Sequence, residues 1–125
     1  MGVVGQGFDA AGGGEASDSA EGWTLNTYSG NLVHAGRGSN WEGMPQRHEI
    51  KQGDVVGLLL DLGQRTLSLY LNGARRGVMV APGMKDRGGE AVAPLAGPLR
   101  WAVDVVNGAS VRIERKPPPR SPAAE

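Results

Sequence analysis

Residues 54–80 read DVVGLLLDLGQRTLSLYLNGARRGVMV, and this stretch decides the fold. A strand with one face in a core carries apolar side chains at every second position. Residues 66–72 follow that period, because leucines alternate there with threonine, serine, tyrosine and asparagine. The preceding residues 55–62 carry valine or leucine at both parities, which predicts a strand that is buried on both faces.

A tight turn separates the second of these strands from a third. Asn72-Gly73 supplies the positive φ angles that a two-residue hairpin turn needs. Residues 75–80 then suit the next strand, which leads the chain back beside the one before. The stretch therefore predicts three consecutive antiparallel strands.

The same kind of turn signal recurs outside this stretch. Asn107-Gly108 favours a second hairpin, and Ser29-Gly30 suits a third. Short segments with alternating or apolar character flank these turns. The strands predicted from such segments are at 2–5, 22–28, 31–35, 99–106 and 109–114.

Three long loops separate the predicted strands, at 6–20, 36–53 and 82–98. No segment has the period of an amphipathic helix. We therefore predict an all-β domain over residues 1–114, most simply an antiparallel β-sandwich of two sheets. Residues 115–125 are rich in proline, which predicts a disordered tail.

The composition excludes several classes of protein. The chain has 125 residues with 13 basic and 13 acidic side chains, and its formal net charge of +0 speaks against a nucleic-acid binder. It has no cysteine, which excludes disulfides, cysteine-bound zinc and iron–sulfur clusters. Its longest apolar block, residues 55–60, is too short to span a bilayer. We therefore expect a cytoplasmic protein with no nucleic-acid or membrane partner.

The sequence has no recognisable catalytic or metal-binding motif. His34 and His48 are the only histidines, and neither has a carboxylate or a second histidine at metal-ligand spacing. No serine lies in the glycine-flanked turn of a nucleophile elbow. We therefore expect a protein that is not an enzyme and that needs no metal or cofactor.

The loop at 36–53 carries the first candidates for binding. Trp41 lies there in polar surroundings that include Arg37 and Asn40. A large apolar side chain in a polar loop is either a lid that packs on the core or an anchor that a partner recognises. The sequence leaves both interpretations open.

The tail offers a second candidate for binding. Lys116, Pro119 and Pro122 match the basic-x-x-Pro-x-x-Pro pattern of an SH3-domain ligand. Such a segment forms a stiff polyproline II helix, so little entropy opposes its docking. An unstructured tail without a partner is the alternative, because short matches of this kind are frequent by chance.

Taken in order, these blocks resemble one known family, the SPRY (B30.2) domain. Residues 53–62 and 66–73 are similar to the family's segment G-D-x-V-G-x-x-L-D … G-T-L-S-F-Y-x-N-G. Further matching pieces are Gly22-Trp23, His34-Ala35-Gly36, Gly77-Val78 and residues 98–103. Residues 2–5 resemble a strand that normally lies well inside this domain. The resemblance therefore implies the later part of a SPRY domain whose opening strands are missing.

The resemblance implies a bent antiparallel β-sandwich whose loops bind a peptide or a protein. The family includes the SOCS-box SPRY adaptors and the Ran-binding-protein-M-like domains. The resemblance therefore implies an adaptor in ubiquitination or signalling. The pocket of those adaptors uses a tyrosine and a Trp-Gly pair at the places held here by Val33 and Asn107-Gly108. The residues expected to bind a partner are Val33, His34, Arg37, Asn40, Trp41, Asn107 and Gly108. A lectin-like sandwich that binds glycans is the alternative.

Overall fold

The structure, a computed structural model, describes residues 1–8, 15–96 and 98–103. Two antiparallel sheets make up this part of the chain. The first sheet is built from β1 (Gly2–Gly5), β2 (Gly22–Leu25), β3 (Leu32–His34), β4 (Arg37–Ser39) and β8 (Leu99–Ala102), in the order β4-β3-β2-β1-β8. The second is built from β5 (Val56–Asp61), β6 (Thr66–Leu71) and β7 (Ala74–Val80), in that order. A short 3-10 helix, Ala16–Asp18, precedes β2.

The second sheet is the three-stranded meander that residues 54–80 predict. β5 pairs with β6, and β6 pairs with β7, in both cases antiparallel. Asn72 and Gly73 have φ angles of 52° and 83°, as the two-residue turn requires. The Nδ2 of Asn72 also donates a 3.2 Å hydrogen bond to Oδ1 of Asp54, which ties this turn to the start of β5.

β6 is the central strand of this sheet and has the predicted alternation. Leu67 and Leu69 have no exposed surface, and Leu71 is also buried, so all three leucines face the core. The prediction of one core face is therefore confirmed. Ser68, on the opposite face, is buried as well, because β5 and β7 flank it on both sides.

The prediction that residues 55–62 are buried on both faces is wrong. Residues 56–60 are half-buried at every position, whereas Val55 before them is 61% exposed. The reason is topological, because among the described strands β5 pairs with β6 alone. An edge strand has a neighbour on one side only, so its side chains keep part of their contact with solvent.

The first sheet joins segments that are far apart in the sequence. β1 is hydrogen-bonded to β2 on one side and to β8 on the other. Val3 therefore lies opposite both Trp23 and Trp101. Trp23 is buried in the core, but Trp101, on the outermost of the described strands of this sheet, is 50% exposed.

The hairpin predicted at 22–28 and 31–35 is present, but its strands are shorter than predicted. Asn26 ends the pairing, because its Oδ1 accepts hydrogen bonds from the backbone N–H groups of Tyr28 and Ser29. An asparagine that bonds the backbone in this way forms a turn in place of a strand. The connection between β2 and β3 is therefore a six-residue turn over 26–31.

The predicted loop at 36–53 begins with a strand, β4, that the sequence does not signal. Ala35 and Gly36 have φ angles of 53° and 74° and form a two-residue turn. This turn brings Arg37 opposite His34 and adds β4 to the sheet. Alanine rarely adopts a positive φ, so the turn has no recognisable pattern in the sequence.

The predicted loop at 82–98 packs against the sandwich. Lys85 and Ala91 form an isolated antiparallel bridge within it. The Nε1 of Trp23 donates a 2.8 Å hydrogen bond to the carbonyl oxygen of Ala93. Two side chains of this segment are buried in the core, Val92 and Leu95. The segment therefore takes part in the folded core although it contains no strand of either sheet.

The two sheets enclose one apolar core. The first sheet contributes Val3, Trp23, Leu25 and Leu32. The second sheet contributes Leu67, Leu69, Met79 and Val80. Since side chains of both sheets meet in one cluster, the fold is an all-β sandwich, as predicted.

The structure describes only some of the segments that the sequence predicts at the end of the chain. Of the strand predicted at 99–106, residues Leu99–Ala102 form β8. The remainder of that strand, the Asn107-Gly108 turn, the strand at 109–114 and the tail at 115–125 lie outside the described residues. In the part that is described, no helix has the length and apolar character needed to cross a membrane.

Candidate functional site

Trp41 packs into the core. Its side chain is 7% exposed, and its Nε1 donates a 2.8 Å hydrogen bond to the carbonyl oxygen of Gly30. The ring also faces Gly77 of β7, where a Cβ would lie 3.5 Å from it. Of the two interpretations that the sequence leaves open, the structure therefore fits the lid, and the partner contact expected at Trp41 stays a prediction.

His34 and Val33 lie on opposite faces of the first sheet, because side chains alternate along a strand. His34 is buried and stacks on Trp23, with the ring centroids 4.9 Å apart. Its Nδ1 donates to the carbonyl oxygen of Gly22 at 2.7 Å. The ring of His34 is therefore held inside the fold, and the partner contact expected there stays a prediction. Val33 is half-buried on the other face.

Asn40 is the centre of a hydrogen-bonded cluster beside β4. Its Oδ1 accepts hydrogen bonds from Nε and Nη2 of Arg87, at 3.2 and 3.0 Å. The same atom accepts a 3.4 Å hydrogen bond from Nδ2 of Asn31. The backbone N–H of Arg87 donates to the carbonyl oxygen of Gly38, so Arg87 also covers the edge of β4. The sequence did not indicate Arg87 as a site residue, because this contact joins two distant loops.

Arg37 is exposed and already has acidic partners. Its Nη1 lies 3.7 Å from Oδ2 of Asp86 and 3.9 Å from Oε2 of Glu90. The Oδ1 of Asp86 accepts hydrogen bonds from the backbone N–H groups of Gly88 and Glu90, which shapes the turn. An aspartate with a pair of glycines two and three residues later is typical of such a turn and could have indicated it from the sequence. Arg37 therefore helps to hold this turn beside β4.

Tyr28 forms a second cluster, with an aromatic and a cationic neighbour. Its side chain is 52% exposed. The ring of His48 meets it edge-on, with the centroids 4.5 Å apart, and Cζ of Arg47 lies 5.2 Å from the centroid of the tyrosine ring. The backbone N–H of His48 donates to the carbonyl oxygen of Tyr28, which fixes the two segments together. The sequence pattern predicts a strand at Tyr28 and gives no sign of this cluster.

Both clusters contact the turn at 26–31, because Nδ2 of Asn31 donates a hydrogen bond to Oδ1 of Asn40 and the carbonyl oxygen of Tyr28 accepts one from the backbone N–H of His48. In the same turn, the carbonyl oxygen of Gly30 accepts the hydrogen bond of Trp41, and a Cβ on Gly30 would lie 2.1 Å from the carbonyl oxygen of Pro45. The turn at 26–31 therefore rests directly on the loop at 40–48. We name the exposed side chains on it the hairpin-end surface: Tyr28, Asn40, Arg47, His48 and Arg87.

An ion pair fixes the loop that carries Arg47 and His48. Both carboxylate oxygens of Glu49 accept hydrogen bonds from the guanidinium of Arg76, on β7. The Nε of Arg76 donates a hydrogen bond to the carbonyl oxygen of Gly43. The Oε1 of Glu49 also accepts a hydrogen bond from the backbone N–H of Gln46. The hydrogen bonds from Arg76 and Gln46 lower the pKa of Glu49 to about 2. The same pairing raises the pKa of Arg76.

A cavity lies beside the start of β7. It has a volume of about 380 Å³ and is lined by Glu42, Arg75, Arg76, Gly77 and Val78. The titratable groups of this lining are the carboxylate of Glu42 and the guanidinium groups of Arg75 and Arg76, and the lining includes no histidine or hydroxyl group. In the described ranges no three His, Cys, Asp or Glu side chains lie together as a metal site would need. Of the predicted site residues, Asn107, Gly108 and the tail residues Lys116, Pro119 and Pro122 lie outside these ranges.

Comparison with known proteins adds no relative. No family model matches the chain, and no match was found among the curated proteins or the solved structures. The resemblance to the SPRY domain therefore stays a prediction from the residues. The candidate site depends on the geometry of the hairpin-end surface.

Proposed function

We propose that the chain is a non-enzymatic interaction module that binds a peptide or a protein through its hairpin-end surface. The observation that carries this proposal is the half-exposed ring of Tyr28, held between Arg47 and His48. Tyrosine and arginine are enriched among the residues that contribute most to the free energy of protein binding. An exposed aromatic ring with ordered polar neighbours is therefore suited to recognition.

The surface is ordered before any partner arrives. The pair of Glu49 and Arg76 fixes the loop that carries Arg47 and His48. The hydrogen bond from Trp41 to Gly30 fixes the turn at 26–31. Binding to a preorganised surface costs less conformational entropy than binding to a mobile one. The buried Trp41 thus supports recognition indirectly, by holding the exposed residues in place.

We further propose that the sandwich is of the SPRY type and acts as a cytoplasmic adaptor in ubiquitination or signalling. The support is the order of the matching blocks in the sequence. Residues 53–62 and 66–73, which carry the most specific resemblance, supply β5, β6 and the turn that follows. An antiparallel two-sheet sandwich is the architecture that this resemblance implies.

The experiment that tests the proposed function is site-specific photo-crosslinking in cells. Tyr28 is replaced by p-benzoylphenylalanine, and Tyr70 on β6 is replaced in the same way as the matched control. We expect proteins that crosslink from position 28 and not from position 70. Excess unlabelled chain should suppress the crosslinks, whereas excess Tyr28→Ala chain should not. Equal crosslinks from both positions, or a chain that binds a glycan array and crosslinks no protein, would contradict the proposal.

A further inference from the structure

The arginines near the hairpin-end surface differ in their electrostatic partners. Arg37 faces Asp86 and Glu90, and Arg76 faces Glu49. Within the described ranges, no carboxylate lies at ion-pair distance from Arg47 or Arg87. The surface therefore carries two positive charges that the described fold does not neutralise.

Both of these guanidinium groups are oriented by neutral partners. Arg87 uses Nε and Nη2 on the amide oxygen of Asn40, which leaves the other N–H groups of its fork available. Arg47 lies over the ring of Tyr28, and a cation over an aromatic face keeps its N–H groups free for a ligand. An ordered guanidinium binds a carboxylate with two parallel hydrogen bonds and loses little side-chain entropy.

We propose that the hairpin-end surface binds an acidic peptide segment. Its carboxylates bind Arg47 and Arg87, and one of its side chains packs on the exposed ring of Tyr28. This inference rests on the proposed function and names the chemistry of its partner. The choice of an acidic partner follows from charge complementarity, because Arg47 lies over the aromatic ring, Arg87 is held by Asn40, and neither has a carboxylate at ion-pair distance in the described fold.

A polyanion such as a nucleic acid is the less suitable ligand. Binding to nucleic acid depends on many phosphate contacts, and a chain of net charge +0 lacks the basic excess for them. Two cations that lack a carboxylate partner in the described fold match a short segment with a few carboxylates.

The test is selection of binders from a random twelve-residue peptide library displayed on phage, with the full chain as target. We expect selected peptides to be enriched in aspartate and glutamate. Their affinity should fall by about tenfold or more in Arg47→Gln and in Arg87→Gln. Arg65→Gln and Arg75→Gln remove exposed arginines elsewhere and are the matched controls, which should leave the affinity unchanged. The melting temperature of each variant shows that it is folded.

The outcomes separate this inference from the proposed function. Selected peptides without acidic enrichment that lose affinity in Tyr28→Ala would overturn the acidic partner and support the interaction surface. Acidic peptides whose affinity falls equally in Arg65→Gln and Arg75→Gln would show attraction to any positive charge and would also overturn the inference. Binders that depend on none of Tyr28, Arg47 and Arg87 would overturn the proposed function itself. If Arg87→Gln fails to fold, Arg47→Gln alone decides, since its guanidinium has no hydrogen bond within the described fold.

Discussion

The indole Nε1 of Trp41 donates a 2.8 Å hydrogen bond to the carbonyl oxygen of Gly30, and this bond joins the loop after β4 to the turn between β2 and β3. The donor and the acceptor both come from segments without regular structure. Their contact gives two loops one fixed arrangement. The exposed residues on those loops, Tyr28 and Arg47 among them, depend on it for their position.

Trp41→Phe should lower the free energy of unfolding by about 1–2 kcal/mol, because the ring stays buried but the carbonyl of Gly30 loses its donor. Trp41→Ala should cost about 3–5 kcal/mol, since it also leaves a cavity in the core. Trp101→Ala removes a half-exposed ring of the same size and should cost clearly less. Urea unfolding followed by circular dichroism measures all three variants. A Trp41→Ala chain as stable as the parent would show that Trp41 does not pack as a lid.

Acid should weaken the pair of Glu49 and Arg76. The hydrogen bonds from Arg76 and Gln46 lower the pKa of Glu49 from 4.5 to about 2, so the folded state favours the charged carboxylate. The pair therefore contributes its full stability above pH 4.5 and loses it as the pH falls toward 2. The difference in unfolding free energy between the parent and Glu49→Gln should shrink over that interval.

Arg76→Gln is the control for this pH dependence. It removes the first cause of the shift, so the pKa of Glu49 should rise toward its ordinary value. The unfolding free energy of the Arg76→Gln chain should therefore fall less than that of the parent between pH 4.5 and about pH 2, as it should in Glu49→Gln. A parent and a Glu49→Gln chain whose stability curves stay parallel from pH 5 to about pH 2 would contradict the assignment.

Gly43 and Gly53 form a matched pair for testing the contact between the loop and β7. Both have a positive φ, of 88° and 91°. A Cβ on Gly43 would lie 1.8 Å from the carbonyl oxygen of Arg76, whereas a Cβ on Gly53 meets nothing within 4 Å. Gly53→Ala should cost about 1–2 kcal/mol from backbone strain alone. Gly43→Ala should cost at least about 1–3 kcal/mol more in thermal or urea unfolding, because the chain must also move away from β7.

The exposed edge at β5 should make the chain prone to self-association. β5 is apolar, pairs with β6 alone among the described strands, and begins beside the exposed side chain of Val55. Unpaired N–H and C=O groups along such an edge accept a strand from another molecule. The apparent molar mass of the purified chain from light scattering should therefore increase with concentration, and Val55→Lys should reduce the increase.

Ala74→Lys at the start of β7 is the control for that experiment. It adds the same charge at the other edge of the same sheet, so it tests net charge separately from edge protection. We expect Ala74→Lys to change the scattering much less than Val55→Lys. Equal effects of the two lysines would assign the association to net charge and remove the edge as its cause.

The meander could be predicted from the sequence because its causes are local. The alternation of Leu67, Leu69 and Leu71 sets one face of β6, and Asn72-Gly73 sets the turn after it. The burial of β5 could not be predicted in the same way. Its composition suits a central strand, but its exposure depends on which strands lie beside it, and that is decided by the whole chain.

The candidate site was less predictable than the fold, because its contacts join distant segments. Asn40 was among the expected residues, but its partner Arg87 lies in another loop. Tyr28 has no pattern that separates an exposed tyrosine from a buried one. Trp41 stands out in the sequence as a large apolar side chain in a polar loop, but no sequence pattern marks the carbonyl of Gly30 as its hydrogen-bond partner.

The pairing of β1 with β8 has a consequence for the order in which the molecule assembles. Strands β5 to β7 close through short turns, so their hydrogen bonds form between neighbours in sequence. β1 instead needs residues 99–102 before its second side is paired. Closing so long a loop is slow, and a ribosome releases β1 well before it releases β8. During synthesis the meander can therefore form while one side of β1 is still unpaired, and the first sheet is the last to be completed.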